Sequence, residues 1–415
     1  MNPGKSVAIV GGGIGGLTTA LALQQYKISS CVYESRTVQS LAKANGAGIW
    51  VPANAMQVFA RLGLAEKILA AGFELHEIEL LDYLSGSLTK VSLAGLKQQF
   101  AYSIVAIKRS LLRQILLDAL RDREVNAAVI MLYGYRCHGI EAKDALSKES
   151  VANDFESNGA KGHGERVAIS FFQKERVFAD YVIAADGLHS AIRQSIFPIA
   201  QPSYSGQTSW RAVVTAELPE QWKESSVEIW GEGRRFGFSH LSADEVYWYA
   251  TADMPALSAT CSSADPIVEI ASLQELFASF PAAVHKLVAS AATVIRTDLS
   301  DLPILPKWYS GKIALVGDAA HATTPNLGQG GAQAVEDGYL LAKMIEQYAT
   351  PEEAFRQYQK IRQEKARRIV RRSRWFGQMA HLKGVLPRQL RNAVVKFTPQ
   401  AVNLREFEQL YRLNF

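Results

Sequence analysis

"VAIVGGGIGGLTTALALQQYKISSCVYE", residues 7–34, is the most informative stretch of the chain. Ser6–Val10, with four apolar residues from Val7 to Val10, reads as a strand that stops at a glycine cluster. Ile14–Gln25 follows as a helix of small and apolar residues, and Cys31–Glu34 as a second strand. Gly11, Gly13 and Gly16 fill Gly-x-Gly-x-x-Gly between strand and helix, with Gly15 in the same turn. Glycines there permit the tight turn, let the backbone approach a pyrophosphate and allow the helix to pack closely on the strand. The helix N-terminus adds positive potential. Glu34 ends the second strand, where a carboxylate can accept ribose hydroxyls. The stretch predicts dinucleotide binding without separating FAD from NAD. The helix ends at Lys27, where a left-handed residue, usually Gly, is expected.

The chain has 415 residues, 48% hydrophobic and 20% charged. That length suggests two domains, and the composition is globular. No apolar run reaches the roughly 20 residues of a membrane span, and the N-terminal stretch lacks the pattern of a signal peptide. Cys31, Cys137 and Cys261 have no metal-ligand spacing and read as buried free thiols of a reducing cytoplasm. No metal site is expected. Residues 361–396 hold eleven Lys/Arg against Glu364 alone, so this segment carries +10 and the rest of the chain −5.

Working outward from the glycine cluster, the dinucleotide unit is Rossmann-like. "RSLLRQILLDALRD", 109–122, has helical spacing. "RVAISFFQKERVFADYVI", 166–183, alternates like a hairpin and ends in a buried strand, and 141–165 reads as a solvated loop. Residues 204–252 are β-branched and aromatic with turns between, which predicts a mostly antiparallel sheet. Helix returns over 266–290, and a helical tail over 331–415. The fold class is therefore α/β: a dinucleotide domain (1–75, 99–195, 291–370) interleaved with a sheet domain (76–98, 196–290), followed by a C-terminal helical segment (371–415).

Two further motifs lie at strand ends. In "ADYVIAADGLHSAIR", 179–193, a strand delivers Asp186-Gly187 to a turn before a helical Ser190–Arg193; alone, this reads as an Asx-type turn and helix cap. In "KIALVGDAAHATTPNLGQGGAQAVEDG", 312–338, Asp318 sits at the carboxyl end of a strand, where open α/β sheets bind ligands. A Gly/Pro/Thr-rich loop follows, then a helix beginning near Gly331.

Jointly and in this order, the three motifs resemble the flavoprotein aromatic hydroxylases, single-component FAD monooxygenases with a p-hydroxybenzoate-hydroxylase-like fold, over about residues 5–375. The resemblance implies that Gly11, Gly13, Gly15, Gly16 and Glu34 hold the ADP half of FAD, and that Arg109 reaches its ribose and phosphates. Asp318 would bind the ribityl chain. Pro325, Gly328, Gly330, Gly331 and Ala332 would line the isoalloxazine, with Gly48, in "NGAGIWVPANA" (45–55), on its other side. Asp186 would lie near the cofactor junction and a transient nicotinamide site. The implied chemistry is reduction by NADPH or NADH, addition of O2 to give a flavin C4a-hydroperoxide, and hydroxylation or epoxidation of a small aromatic or heteroaromatic compound. Only one Gly-x-Gly-x-x-Gly unit lies between strand and helix. "WGEGRRFG", 230–237, reads as a hairpin turn, so the nicotinamide nucleotide has no Rossmann unit of its own.

Within that family the chain is similar to bacterial urate hydroxylases and zeaxanthin-epoxidase-like enzymes. That pattern carries Arg235 and Tyr247 to the substrate, alongside a possible cavity residue in Arg211. Asn326 stands where it has an acid, which speaks against urate. The plainer readings are a salt-bridged surface Arg235, a core Tyr247 and an Arg211 paired with an acid. Trp210, Phe236, Phe238 and Trp248 either wall a flat pocket or pack the core. His189 and His321 read as loop or cap residues, without a Gly-x-Ser-x-Gly beside them. Competing readings are a flavin halogenase, from "VYWYATADMP", and a flavin-binding protein that meets lipid or nucleic acid through "RRIVRRSRWFG", 367–377. The favoured reading has no nucleic-acid partner and no membrane span, and a monomer or weak dimer.

Overall fold

The computed structural model describes residues 6–43, 47–122, 128–141, 166–256 and 266–415. The expected loop 141–165, except Glu141, and Cys261 lie outside those residues. Cys31 and Cys137 are free and half buried. Among the described residues no helix is long and apolar enough to cross a membrane.

The apolar run Val7–Val10 is a central strand of a six-stranded sheet, buried at every position. It pairs in parallel with Ser30–Glu34 on one side and with Tyr181–Ala184 on the other. Val129–Tyr133 and Ile313–Leu315 extend the sheet, also in parallel. Continuous apolar runs suit strands covered on both faces. Residues more than three hundred apart in sequence thus end side by side: Gly11, Asp186 and Asp318 all follow carboxyl ends of neighbouring strands.

Helix Ile14–Gln25 closes with Lys27 at φ 60°, in the left-handed conformation expected there, the Ile28 amide reaching the Leu23 carbonyl at 2.9 Å. Its glycines are dictated by contact. A Cβ on Gly16 would lie 1.9 Å from the Gly11 carbonyl oxygen, and one on Gly11, itself at φ +111°, 2.2 Å from that of Ala185. Gly15 meets Ala334, and Gly338 meets Thr19, so this helix and the helix Gly330–Gln347 pack with little between them.

The second sheet has seven strands, in the order Ile295–Asp301, Ser203–Thr215, Glu245–Asp253, Arg234–His240, Ser225–Trp230, Glu77–Asp82, Gly86–Ser92. All pairings are antiparallel except that between Ser225–Trp230 and Glu77–Asp82. "WGEGRRFG" is indeed a hairpin turn, with Gly233 at φ +64°. Trp210, Phe236, Phe238 and Trp248 share one face and pack with Leu273 and Leu287 from the helices Pro266–Leu276 and Ala282–Ala289, and with Phe277 and Phe280 from the turn between them. They are core, not pocket wall.

The stretch after Asp318 is less loop-like than its composition suggests: Asp318–His321 is one helical turn and Pro325–Leu327 a 3-10 turn. The helical tail is four helices, Gly330–Gln347, Pro351–Ala380, Val385–Phe397 and Gln400–Tyr411. The second runs unbroken through residue 370, where the sequence suggested a boundary. A buried ionic cluster ties it to the first. Arg362 pairs with Glu336 and, at 2.8 Å, with Asp337; Lys365 meets Glu336 at 2.7 Å. Asp337 also takes the Gly317 amide at 2.9 Å and His321 at 2.6 Å, so the cluster braces the turn that presents Asp318.

Candidate active site

The first sheet's carboxyl edge opens on two helix N-termini. Neither Gly13 nor Gln329, the residues preceding Ile14–Gln25 and Gly330–Gln347, caps its helix with a side chain. The Gln329 amide oxygen is engaged elsewhere, accepting from Asn54 at 3.1 Å and Gln333 at 3.0 Å. First-turn amides have no acceptor inside a helix, so both turns present donors and positive potential to whatever lies before them. A Cβ on Gly13 or on Gly187 would meet nothing within 4 Å.

Glu34 is buried, and its carboxylate accepts from the Gly12 amide at 2.9 Å and from the Arg36 amide and side chain at 3.0 Å each. Burial alone would raise this carboxyl; the Arg36 and Gly12 donors outweigh it and hold it below the usual range. It stays ionised, as a ribose acceptor must. Arg113, one turn beyond Arg109, donates to the Gly12 carbonyl at 3.1 Å and keeps a buried Nη2 without partner. Asp186 accepts from the Ile192 amide at 3.3 Å while its buried Oδ1 has none. Burial raises its carboxyl, against the Ser190 hydroxyl.

Asp318 and Arg109 are accessible to solvent, yet burial dominates the charge state of each. Burial raises Asp318, with His321 and Arg109 opposing, and burial lowers Arg109, with Asp318 opposing. Gly330 lies within 3.8 Å of Asp318 Oδ1 when given a Cβ, Gly331 is beside Ile49, and Gly328 beside Trp50. Pro325 is exposed on its 3-10 turn and Ala332 is buried in the first turn of the following helix. The glycine-rich turn and the strand Gly48–Val51 therefore face each other at close range.

That strand meets the polar face of the seven-stranded sheet. A Cβ on Gly48 would overlap Tyr247, Trp50 Nε1 donates to Ser239 at 2.9 Å, and the Trp50 and Tyr249 rings meet edge to face at 5.8 Å. Register puts Arg211, Tyr247, Tyr249, Thr251 and Arg235 all on this face. Tyr247 is buried and its hydroxyl pushed up to about 12 by burial, against Arg211 and Arg109. Arg211 donates to Thr297 at 2.9 Å, and among the described residues no acid pairs with it and its buried Nε is unpartnered.

Arg235 and Asn326 come together but face each other. Arg235, 1% exposed, donates to Asn326, to Thr251 at 2.9 Å and to Glu228 at 3.4 Å. Asn326 donates to Thr324 at 2.9 Å and the Ser373 carbonyl at 2.8 Å, and its side chain fills the space a Cβ on Gly377 would need. The network continues through Thr251 to His381 and from His381 to Asp253 at 2.7 Å. Arg235 is thus a paired arginine, as in the plainer reading, but buried and not at the surface. Sequence reasoning missed Arg36, Arg113, Trp50, Glu228 and His381. Only Arg113 left a signal, lying one helical turn from Arg109.

The buried Glu34, two helix N-termini without side-chain caps and the glycine-rich turn beside Gly48–Val51 lie at the carboxyl edge of the six-stranded sheet, an arrangement suited to one elongated dinucleotide with a flat end. Residues 5–373 match the FAD binding domain family. The chain belongs to that family. It is 31% identical over 381 residues to the aurachin C monooxygenase/isomerase of Stigmatella aurantiaca, covering 91% of this chain and 90% of that protein. It is 28% identical to the 2-heptyl-3-hydroxy-4(1H)-quinolone synthase of Pseudomonas aeruginosa, over 98% of this chain and 97% of that one. The crystal structure of Klebsiella pneumoniae HpxO complexed with FAD and uric acid superimposes with a TM-score of 0.82 at 26% identity, covering 99% of this chain and 97% of that one. FAD is accordingly the cofactor of this FAD binding domain protein, and its reaction class is that of the aromatic-hydroxylase-type monooxygenases.

Proposed function

We propose that the enzyme uses NAD(P)H and O2 to insert one oxygen atom into a planar nitrogen heterocycle of the 4(1H)-quinolone type. The balance is substrate, O2, NAD(P)H and a proton giving hydroxylated substrate, NAD(P)+ and water. FAD, held by Gly11, Gly13, Gly16, Glu34, Arg109, Asp318 and the turn from Pro325 to Ala332, supplies the electron transfer and oxygen activation. Asp186 lies at the cofactor junction in this reading. Segments 1–75, 99–195 and 291–370 carry the cofactor, while 76–98 and 196–290 present the substrate side.

The observation that carries the substrate reading is the commitment of Arg235 and Asn326 to each other. With both engaged inside the protein, no charged pair is left to seize an acidic purine at that position. What remains toward the strand Gly48–Val51 is Tyr247 and Arg211. A hydroxyl titrating near 12 is neutral at physiological pH and donates one hydrogen bond. Arg211, with an Nε free of partners, offers further donors to a ring carbonyl. A quinolone carbonyl accepts both, and its vinylogous amide places electron density on the neighbouring ring carbon, where an electrophilic oxygen adds. The similarity to the 2-heptyl-3-hydroxy-4(1H)-quinolone synthase supports the same ring class. Urate, the ligand of HpxO, is the second reading.

The test offers 2-alkyl-4(1H)-quinolones and urate in parallel with 18O2. The reading predicts substrate-stimulated NAD(P)H consumption and one 18O in the quinolone product. Turnover of urate with none of the quinolone contradicts it.

A further inference from the structure

Helix Val385–Phe397 is turned inside out. Its arginines point inward: Arg391, 1% exposed, donates to the Ala380 carbonyl at 3.2 Å and to Asp82 at 3.3 Å, and lies 4.9 Å from the Trp230 ring centre. Arg388 sits over the Tyr83 ring at 4.8 Å and 3.7 Å from Asp82. Its apolar side chains point outward. Leu386, Leu390, Val394 and Phe397 are 77%, 69%, 55% and 80% exposed, and their spacing of four, four and three aligns them in one stripe. A surface helix in water has the opposite arrangement, and clustered exposed apolar side chains mark an interaction site.

We propose that this stripe seats the enzyme on an anionic lipid surface. Charge selects the occupant. From residue 365 to 405 the chain has eleven Lys/Arg and no Asp or Glu, while the remainder is net acidic. Lys383 precedes the helix and Lys396 ends it, both exposed; Arg371 and Arg405 are exposed on the flanking helices. Acids from elsewhere partly offset this, Asp253 at 3.1 Å from Lys383 and Asp301 against Arg374. A leucine and phenylalanine stripe with cations around it has the composition of a helix lying in the headgroup plane. A second copy on the same stripe would bring Lys383 and Lys396 near their own duplicates. Nucleic acid offers no apolar layer for Phe397. At 13 residues the helix lies on the membrane and does not cross it.

The test floats the full-length FAD-loaded enzyme with vesicles of phosphatidylcholine alone or mixed with phosphatidylglycerol, and needs no turnover. The expected result is retention on the mixed vesicles, weakened by salt and by the neutral composition. A Leu390→Asp/Phe397→Asp double variant, with FAD content and Tm unchanged because both side chains face solvent, should lose about tenfold or more in binding. A Lys396→Glu/Arg405→Glu variant should lose the preference for phosphatidylglycerol. The proposal is overturned if the parent binds neither vesicle, or if the double variant binds as the parent does. A dimer that dissociates in the double variant without vesicle binding also overturns it, as does retention on nucleic acid alone.

Discussion

Two glycines of the same turn separate folding from cofactor binding. Gly16 has no room for a Cβ, so Gly16→Ala should destabilise the protein by several kcal/mol, as overpacking does at its upper end (~3 kcal/mol). Gly13 faces open space, so Gly13→Ala should fold with an unchanged apo Tm and bind FAD more weakly. Thermal unfolding and flavin fluorescence read the two effects apart. Asp318 is a second such residue. Burial raises its carboxyl, so its contribution to stability is present below the unfolded value and lost as pH rises through the folded one. Above that folded value the apo protein bears that loss, and Asp318→Asn should raise the apo Tm there while impairing FAD binding. An apo Tm that falls contradicts the assignment. The glycine motif, Glu34 and Asp318 were legible in the sequence because their chemistry is local. The pairing of Arg235 was not legible because its partner Asn326 is 91 positions away, and nothing local distinguishes a buried paired arginine from one that meets substrate.

At the scale of elements, the fold depends on joints between distant segments. The strands and helices followed from local periodicity. The pairing of Glu77–Asp82 with Ser225–Trp230, and hence which sheet face carries Arg211 and Tyr247, did not, because register is a non-local property. The aromatic residues in that sheet read equally as pocket or core until the helices on the other face were in place. The cluster Glu336, Asp337, Arg362 and Lys365 was likewise invisible in sequence, since charged residues on helices ordinarily face water. Asp337→Asn leaves Arg362 and His321 short of a buried partner and should cost about 3–5 kcal/mol. Burial would raise the Asp337 carboxyl, but the charges of His321 and Arg362 hold it far below the usual aspartate value. Its stabilisation is therefore full above the unfolded aspartate pKa and fades as pH falls below it. Urea unfolding across pH 6 to 2 should show a shallower acid limb in the variant; equal slopes contradict this role.

For the whole molecule, the proposed cofactor site is assembled from five regions of chain: Gly11–Glu34, Gly48–Val51, Arg109, the Asp186 turn, and Asp318–Ala332. The seven-stranded sheet closes it with a polar face, while its apolar face packs inward on helices. Tyr247 and Arg211 belong to this closure. Tyr247→Phe should retain FAD and raise KM for the heterocycle with kcat less affected, whereas Arg211→Ala should increase peroxide release per NAD(P)H consumed. Unchanged steady-state constants in both would remove them from the site. The measurement that bears most directly on the cofactor site is the flavin content and absorbance of the purified chain beside Gly13→Val, whose side chain would occupy the opening. The expected result is one FAD per parent chain and a folded, colourless Gly13→Val protein. A parent chain that is colourless and gains no bound flavin absorbance on incubation with FAD would contradict the account.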